Sequence, residues 1–283
     1  MTVESDPVRE AAEALCEQKQ YEFQGPLGSG AFKKAFLANG PSGAFALKLA
    51  LDATNLDRAQ REVEALRGCN HPSIARNIGA YLHQHRGVQL WVVEEEFLAG
   101  GTLEQRQAQR PLSAQQIRQL GICLGDVLAH LHERRLVHRD IKPANIMYRG
   151  QDDTPVLTDF GVVRMLDQPT LTMDFMGMGP GTPAYAAPEQ LNNQKELIDW
   201  RTDQFGLAVV LGELLLNRHP YAAPNESRGL GIRAVALRRP LPQATVIQLE
   251  GLGFGALVRA LSPWPISRYR RPAEFINELS IIN

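Results

Sequence analysis

The stretch Val137-His-Arg-Asp-Ile-Lys-Pro-Ala-Asn145 is the most informative segment of the sequence. Lys142 lies two residues after Asp140, and Asn145 follows three residues later. Pro143 disfavours continuation of a preceding helix, so the segment is predicted to be a loop. Such a loop can present a carboxylate to a substrate hydroxyl, an ammonium group to a transferring phosphoryl group and an amide oxygen to a metal ion.

Two more segments carry matching chemistry. Downstream, Val156-Leu-Thr-Asp-Phe-Gly161 reads as a short apolar strand that ends in Asp159, a hard oxygen ligand suited to Mg²⁺. Upstream, the stretch Gly25-Pro-Leu-Gly-Ser-Gly30 predicts a glycine-dense turn, and Lys48 lies in a predicted strand. Backbone N–H groups in such a bend can approach phosphate oxygens, which a nearby lysine neutralises. Either feature alone is ordinary turn chemistry, but their ordered combination predicts a phosphate and metal site.

Hydrophobic periodicity divides the chain into a strand-rich first third and a helix-rich remainder. The predicted elements are a leading packing helix, a β-hairpin, a second helix and a buried strand, at residues 8–15, 34–38 with 44–49, 56–66 and 88–93. Ser113 and Gln116 form a capping-box pattern that begins a long amphipathic helix through Leu131. This order predicts two unlike lobes rather than a βαβ repeat.

Composition excludes several classes of protein. The 283 residues have a formal net charge of -1, which argues against a nucleic-acid binder. The 3 cysteines, Cys16, Cys69 and Cys123, are far apart, which predicts a reducing, cytoplasmic setting rather than a disulfide framework. The most apolar stretch, residues 207–216, contains Glu213 and is too short to span a bilayer, so no membrane segment is expected.

These motifs together resemble a eukaryotic-type (Hanks-type) protein serine/threonine kinase catalytic domain over residues 23–279. Residues 141–146 and 187–190 resemble its bacterial branch. The resemblance implies an α+β bilobal fold, with a small antiparallel β-sheet N-lobe plus one helix and a larger, mostly helical C-lobe. The implied domains are an N-terminal helical extension at 1–20, an ATP-binding N-lobe at 21–98 and a catalytic, substrate-binding C-lobe at 99–283.

The resemblance also implies residue roles. Asp140 would accept the proton of the substrate hydroxyl, Lys142 would steady the γ-phosphate, and Asn145 with Asp159 would hold Mg²⁺. Lys142 together with Thr182 is the serine/threonine pattern. The implied ATP-binding set comprises Leu27, Gly28, Ser29, Gly30, Ala31, Phe32, Lys33, Lys34, Ala35, Ala46, Lys48, Glu62, Glu96, Leu98 and Asp159. Within it, Lys33 replaces the usual third glycine of the phosphate loop.

Two assignments in the first lobe have competitors. Glu62 matches the helix glutamate that pairs with Lys48 in the family, and Glu64 is its competitor. Glu95 aligns with the gatekeeper position behind the adenine, and a register shift of one residue would place Glu94 or Glu96 there. A carboxylate is uncommon at this position, and burying it requires a partner or a proton. Backbone groups near Glu96 and Leu98 would read the adenine in either register.

Supporting residues are implied in the second lobe. Residues 181–189 close the activation segment that begins at Asp159. Asp203 would hold the backbone of the catalytic loop, and Arg268 would pair with Glu189. These three features imply structural support rather than chemistry.

The resemblance also implies a mode of regulation, through Arg139, which directly precedes Asp140. That order implies activation by phosphorylation of Thr170 or Thr172, with Arg164 and Arg58 as further ligands of the phosphate. Such autophosphorylation in trans would need a transient dimer.

Two alternatives remain open. A small-molecule kinase of the aminoglycoside or choline type would share the lobed fold, although such enzymes typically lack a segment like 181–189. A pseudokinase or scaffold with low or conditional activity is the other alternative, because Lys33 and Glu95 depart from the family pattern. Protein substrates and ATP are the expected partners, and the motifs do not identify which proteins are the substrates.

Overall fold

The computed structural model describes residues 6–29, 33–50, 69–150, 154–160, 164–165 and 182–281, with backbone alone at 29, 164 and 165. The chain divides into two compact units, Met1–Asn70 with Ala75–Ala99 and His71–Ile74 with Gly100–Asn283. The domain limits at residues 20 and 98 stay predictions. The second helix predicted at 56–66 lies outside the described residues.

The first unit is built on an antiparallel five-stranded sheet. Its strands are β1 (Glu22–Ser29), β2 (Lys34–Gly40), β3 (Gly43–Ala50), β4 (Asn77–His85) and β5 (Val88–Glu96). Their order across the sheet is β1-β2-β3-β5-β4. The predicted hairpin is present as β2 and β3, and the buried strand predicted at 88–93 is the first part of β5, which continues to Glu96. β4 was not predicted, because its mixed polar and apolar residues give neither a clear alternation nor an apolar run.

The glycine-dense stretch at 25–30 differs from its prediction as a turn. β1 continues to Ser29, and its last pair joins Ser29 to Lys34 of β2. Register shifts between Phe23 and Gly25 and between Pro26 and Gly28 absorb the irregular backbone. Gly25 has φ 139°, a conformation that side chains rarely allow. The glycines therefore permit a bulged strand rather than end it.

The leading helix α1 (Pro7–Gln18) covers one face of this sheet. Asp6 caps it by accepting a hydrogen bond from the Val8 N–H, and Pro7 occupies its first turn. Val8, Ala11, Ala12, Leu15 and Cys16 are buried in one cluster with residues of β2, β3 and β5. The predicted packing role of this helix is confirmed, and it makes the first unit a helix-on-sheet layer.

The second unit is mostly helical. Its helices are α2 (Leu103–Gln109), α3 (Ala114–Glu133), α4 (Pro188–Leu191), α5 (Trp200–Leu216), α6 (Arg228–Ala236), α7 (Gln243–Gly251), α8 (Gly255–Ala260) and α9 (Pro272–Ser280). Short strand pairs join β6 (Leu136–Val137) to β9 (Arg164–Met165) and β7 (Ile146–Tyr148) to β8 (Pro155–Leu157). The capping box of Ser113 and Gln116 begins α3 as predicted. Within the described part of the chain, no helix is long and apolar enough to cross a membrane.

Glycines on α3 set how closely its neighbours approach. A Cβ at Gly121 would lie 2.6 Å from Leu279 and 2.7 Å from Leu211. A Cβ at Gly125 would lie 2.8 Å from Ile276. α3 therefore packs against α5 and α9 at distances that a larger residue would prevent, and these helices form the centre of the unit.

A buried ion pair braces the same unit. Arg268 and Glu189 are each 0% exposed, and Arg268 Nη1 lies 2.8 Å from Glu189 Oε1. The predicted pairing of these two residues is confirmed. The prediction of an α+β fold, with an antiparallel sheet in the N-terminal part and helices in the remainder, is also confirmed.

Candidate active site

The loop after β6 brings the three predicted catalytic residues together. Lys142 Nζ lies 2.7 Å from Asp140 Oδ2. Asn145 Nδ2 donates to the Asp140 carbonyl at 2.9 Å and to Asp140 Oδ2 at 3.1 Å. Pro143 begins a single 3₁₀ turn that ends at Asn145, so the proline folds the segment back on itself. One carboxylate, one ammonium and one amide therefore converge within hydrogen-bonding distance.

Thr182 completes this cluster, a contact that sequence reasoning missed. Its backbone N–H and its hydroxyl each donate to Asp140 Oδ1 at 2.9 Å. The same hydroxyl oxygen accepts a hydrogen bond from Lys142 Nζ at 2.8 Å. Because both carboxylate oxygens of Asp140 accept hydrogen bonds, the orientation of the carboxylate is fixed. The sequence marked Thr182 only as part of the serine/threonine pattern.

Asp203, on α5, anchors the backbone before Asp140. Its two carboxylate oxygens accept the N–H groups of His138 and Arg139, each at 2.7 Å. Burial raises the pKa of Asp203 to about 7, although these two backbone hydrogen bonds act to lower it. Arg139 has φ 68°, an unusual conformation that this anchoring stabilises. The predicted backbone-holding role of Asp203 is confirmed.

His138 is a second anchor of the loop. Its Nδ1 accepts the Asp140 N–H at 3.3 Å, and its Nε2 faces the Thr158 carbonyl at 3.1 Å. These partners assign the neutral tautomer with the proton on Nε2. Burial lowers the pKa of His138, which keeps the imidazole neutral.

Asn145 and Asp159 lie at the same end of a small hairpin. Asn145 directly precedes β7, Asp159 comes two residues after β8, and the Thr158 N–H donates to the Asn145 carbonyl at 2.9 Å. Asp159 has φ 62°, so the chain turns sharply at this residue. The described residues contain no cluster of three or more His, Cys, Asp or Glu side chains that could hold a metal. One carboxylate and one amide oxygen nevertheless fit Mg²⁺, which retains waters and takes phosphate oxygens as its remaining ligands.

In the first unit, Lys48 and the glycine-rich strand share one row of the sheet. Gly28 pairs with Ala35, and Ala35 pairs with Lys48 on the next strand. Strands lie about 4.8 Å apart, so the Cα atoms of Gly28 and Lys48 are separated by about 10 Å. Lys48 Nζ lies 2.5 Å from Glu95 Oε2, and the Glu95 side chain is only 4% exposed. The partner that a buried Glu95 requires is therefore Lys48.

Two other predicted ATP-binding residues have defined surroundings. Lys34 Nζ lies 2.7 Å from Asp6 at the start of α1. Its cross-strand partner Leu49 is buried in the cluster that contains α1. The Lys34 side chain therefore lies on the α1 face of the sheet, opposite Lys48. Glu96 accepts the Arg76 N–H through Oε1 at 2.9 Å, so its carboxylate fixes the chain before β4.

Leu98 is 4% exposed. Its backbone N–H and carbonyl make no backbone hydrogen bond among the described residues. A backbone N–H and carbonyl without such bonds can hydrogen-bond to the edge of an adenine ring. Ala35 and Ala46 lie in β2 and β3, Leu27 and Gly28 lie in β1, and Lys33 is half-buried. Gly30, Ala31, Phe32 and Glu62 lie outside the described residues, as does Glu64.

A groove of about 510 Å³ opens in the second unit beside the catalytic loop. Its walls include Pro143 next to Lys142 and Tyr185 next to the Thr182 segment. Carboxylates of Glu104, Glu213 and Glu226 line it together with Arg218 and Arg228. Mixed charges and apolar walls suit an extended polypeptide better than a single small cation.

Comparisons with known proteins agree with this geometry. The protein kinase domain family matches residues 21–243. The chain is 29% identical to serine/threonine-protein kinase PknF of Mycobacterium tuberculosis over an alignment of 270 residues. This alignment covers 89% of this chain and 54% of the relative. It is 30% identical over 272 residues to PknJ of the same species, covering 90% of this chain and 44% of the relative.

A third relative is serine/threonine-protein kinase PkaA of Streptomyces coelicolor, 32% identical over 230 residues, with 71% of this chain and 40% of the relative covered. The chain thus spans about half, or less, of the length of the curated relatives that it matches. These matches confirm the resemblance to bacterial serine/threonine kinases. By the family match and by its fold, this chain belongs to the protein kinase domain family.

Proposed function

We propose that this chain is an ATP- and Mg²⁺-dependent protein serine/threonine kinase. The observation that carries the proposal is the cluster of Asp140, Lys142 and Thr182, in which the two oxygens of one carboxylate are aligned by an ammonium group and a hydroxyl. Phosphoryl transfer requires positioning and charge stabilisation above all, and this cluster supplies both.

In the proposed reaction, the substrate hydroxyl oxygen bonds to the γ-phosphorus while the bond from that phosphorus to the bridging β,γ-oxygen breaks. Asp140 orients the hydroxyl and accepts its proton, and ADP leaves with the bridging oxygen. Lys142 neutralises charge on the transferring group. Asn145 and Asp159 would hold Mg²⁺, which when bound would neutralise charge on the phosphates.

The nucleotide-binding roles belong to the first unit. Lys48 would contact the α- and β-phosphates, and the backbone of residues 27–35 would approach them closely. Backbone groups near Glu96 and Leu98 would read the adenine, although the Glu96 N–H itself donates to the Arg76 carbonyl at 2.9 Å. Leu98 is buried and its backbone makes no backbone hydrogen bond within the described part of the chain, which supports this assignment.

Phosphate transfer from radiolabelled ATP to a generic protein substrate tests the proposal. Wild type should incorporate label with Mg²⁺, and Asp140→Asn should reduce kcat by about 10²- to 10⁴-fold, the range for loss of a general base. Asp126→Asn is the matched control, because Asp126 is an exposed aspartate of α3 that faces His71 rather than the cluster. Label on choline or an aminoglycoside instead of protein would favour a small-molecule kinase. Equal, background incorporation by wild type and Asp140→Asn would favour a pseudokinase.

We also infer that autophosphorylation of Thr170 or Thr172 activates the enzyme, with Arg139, Arg164 and Arg58 as phosphate ligands. Thr170, Thr172 and Arg58 lie outside the described residues, and only the backbone of Arg164 is described. Support comes from Arg139, whose N–H is tied to Asp203, so that a phosphate on its guanidinium would act on the catalytic loop. Mass spectrometry should find phosphate on wild type but not on Asp140→Asn. Full activity of a Thr170→Ala/Thr172→Ala variant would contradict the inference.

A further inference from the structure

We propose that Glu95 is a positioning residue that holds Lys48 for nucleotide binding, an inference that rests on the proposed kinase function and deepens it. Lys48 Nζ lies 2.5 Å from Glu95 Oε2, with side-chain exposures of 16% and 4%. Burying a carboxylate this deeply costs free energy unless a partner compensates its charge. The ion pair therefore connects Lys48 of β3 to the neighbouring strand β5 of the same sheet.

The register of the sheet explains why the two side chains meet. β3 pairs with β5 so that Ala46 lies opposite Glu95 and Lys48 lies opposite Val93. Lys48 and Glu95 are thus diagonal neighbours on one face, within reach of long side chains. Both strands are interior to the sheet, so backbone hydrogen bonds fix the spacing of the pair.

This arrangement organises the lysine before a nucleotide arrives. A free lysine side chain has many rotamers and loses that freedom when it binds a phosphate. Glu95 restricts those rotamers in advance, so less entropy is lost on binding. An ammonium group donates three hydrogen bonds, so Lys48 can contact Glu95, phosphate oxygens and a further carboxylate together.

Glu94 supplies a matched control on the same strand. It is 5% exposed, close to the 3% of Glu95, but it lies on the opposite face. Its Oε1 accepts hydrogen bonds from Lys19 Nζ at 2.9 Å and from the Tyr81 hydroxyl at 2.6 Å. Glu94→Gln therefore removes an equally buried carboxylate that is engaged by α1 and β4 rather than by Lys48.

The experiment is calorimetric titration of a non-hydrolysable MgATP analogue into the full chain. Glu95→Gln should weaken binding about tenfold, the effect expected when a charge-assisted hydrogen bond is lost. In a Lys48→Met background the same substitution should have no further effect, because Glu95 acts through Lys48. Glu94→Gln should lower the melting temperature while the affinity stays within about twofold of wild type.

Unchanged or tighter binding by Glu95→Gln would overturn the inference, as would an equal loss in the Lys48→Met background. Circular dichroism checks that each variant is folded, and Glu95→Met provides a second uncharged variant of similar length if Glu95→Gln is unstable. Failure of the kinase proposal looks different. Lys48→Met would then bind the analogue like wild type, and wild type and Asp140→Asn would incorporate the same amount of labelled phosphate.

Discussion

Arg268 and Glu189 form a two-point ion pair with neither side chain exposed to solvent. Arg268 Nη1 donates to Glu189 Oε1 at 2.8 Å, and Nη2 donates to Oε2 at 3.0 Å. The Thr202 hydroxyl also donates to Glu189 Oε1, at 2.9 Å. The pair thus connects the residues after Thr182 to α5 and to the segment before α9.

Breaking this pair on one side should be costly. Glu189→Gln leaves the Arg268 guanidinium buried without its countercharge, so we expect the free energy of unfolding to fall by about 3–5 kcal/mol. Urea denaturation measures the change. Glu274→Gln is the control, because Glu274 pairs with Arg271 at an exposed site. If both substitutions had equally small effects, the buried pair would not brace the unit.

Thr182 should matter for turnover more than for nucleotide binding. Thr182→Ala removes the hydroxyl that bonds both Asp140 and Lys142, so kcat should fall about tenfold or more. Thr182→Ser should restore most of it. Steady-state kinetics with ATP and a protein substrate measure both parameters. A change confined to the KM for ATP would contradict this role.

His219 should make the second unit less stable in acid. Its Nδ1 accepts the Tyr221 N–H, and its Nε2 donates to the Ala184 carbonyl, so protonation would break the Tyr221 bond. Burial lowers the pKa of His219 to about 4. The unfolded chain binds a proton near pH 6.5, so stability is lost as pH falls from about 6.5 to 4, by up to about 3 kcal/mol.

The raised pKa of Asp203 acts in the opposite sense, because the contribution of Asp203 to the stability of the folded chain falls as pH rises toward about 7. The comparison is therefore between wild type and His219→Gln, in which Asp203 contributes equally. The amount by which the unfolding free energy of wild type exceeds that of His219→Gln should shrink as pH falls from 6.5 to 4. A difference that is constant with pH would contradict the assignment.

Lys19 and Glu94 should be energetically coupled across α1 and β5. Burial and the Glu94 carboxylate raise the pKa of Tyr81, so the phenol remains a hydrogen-bond donor, but it cannot supply a positive charge. Lys19→Met should then destabilise the chain by about 1–3 kcal/mol, and adding Glu94→Gln should recover part of that loss. Thermal denaturation of the two single variants and the double variant completes the cycle. Strictly additive effects would exclude the coupling.

Much of the site could be read from the sequence because its residues are close along the chain. The spacing from Asp140 to Asn145 forces those side chains into one turn, and a proline marks the loop. The β2–β3 hairpin and α3 followed equally from local patterns. Contacts between distant segments were harder to predict. The bonds from Thr182 to Asp140 span 42 residues, and no local pattern encodes them.

The glycine-dense stretch shows a different limit. Glycine permits a turn and a bulged strand equally well, and only pairing with β2 decides between them. The alignment with the gatekeeper position alone predicted that Glu95 is buried. A buried carboxylate needs a partner or a proton, so a partner was expected. The identity of that partner depended on the register of β3 against β5, which a single sequence does not specify.

The close packing of α3 against α9 bears on how short a working fragment can be. The kinase family match ends at residue 243, yet Arg268, Phe275 and Leu279 are each at most 1% exposed beyond it. A protein trimmed to the matched residues would leave Glu189 without its cation and would uncover the glycine-lined face of α3. Such a fragment should aggregate on expression, so we expect a folded fragment to require the residues through Ser280.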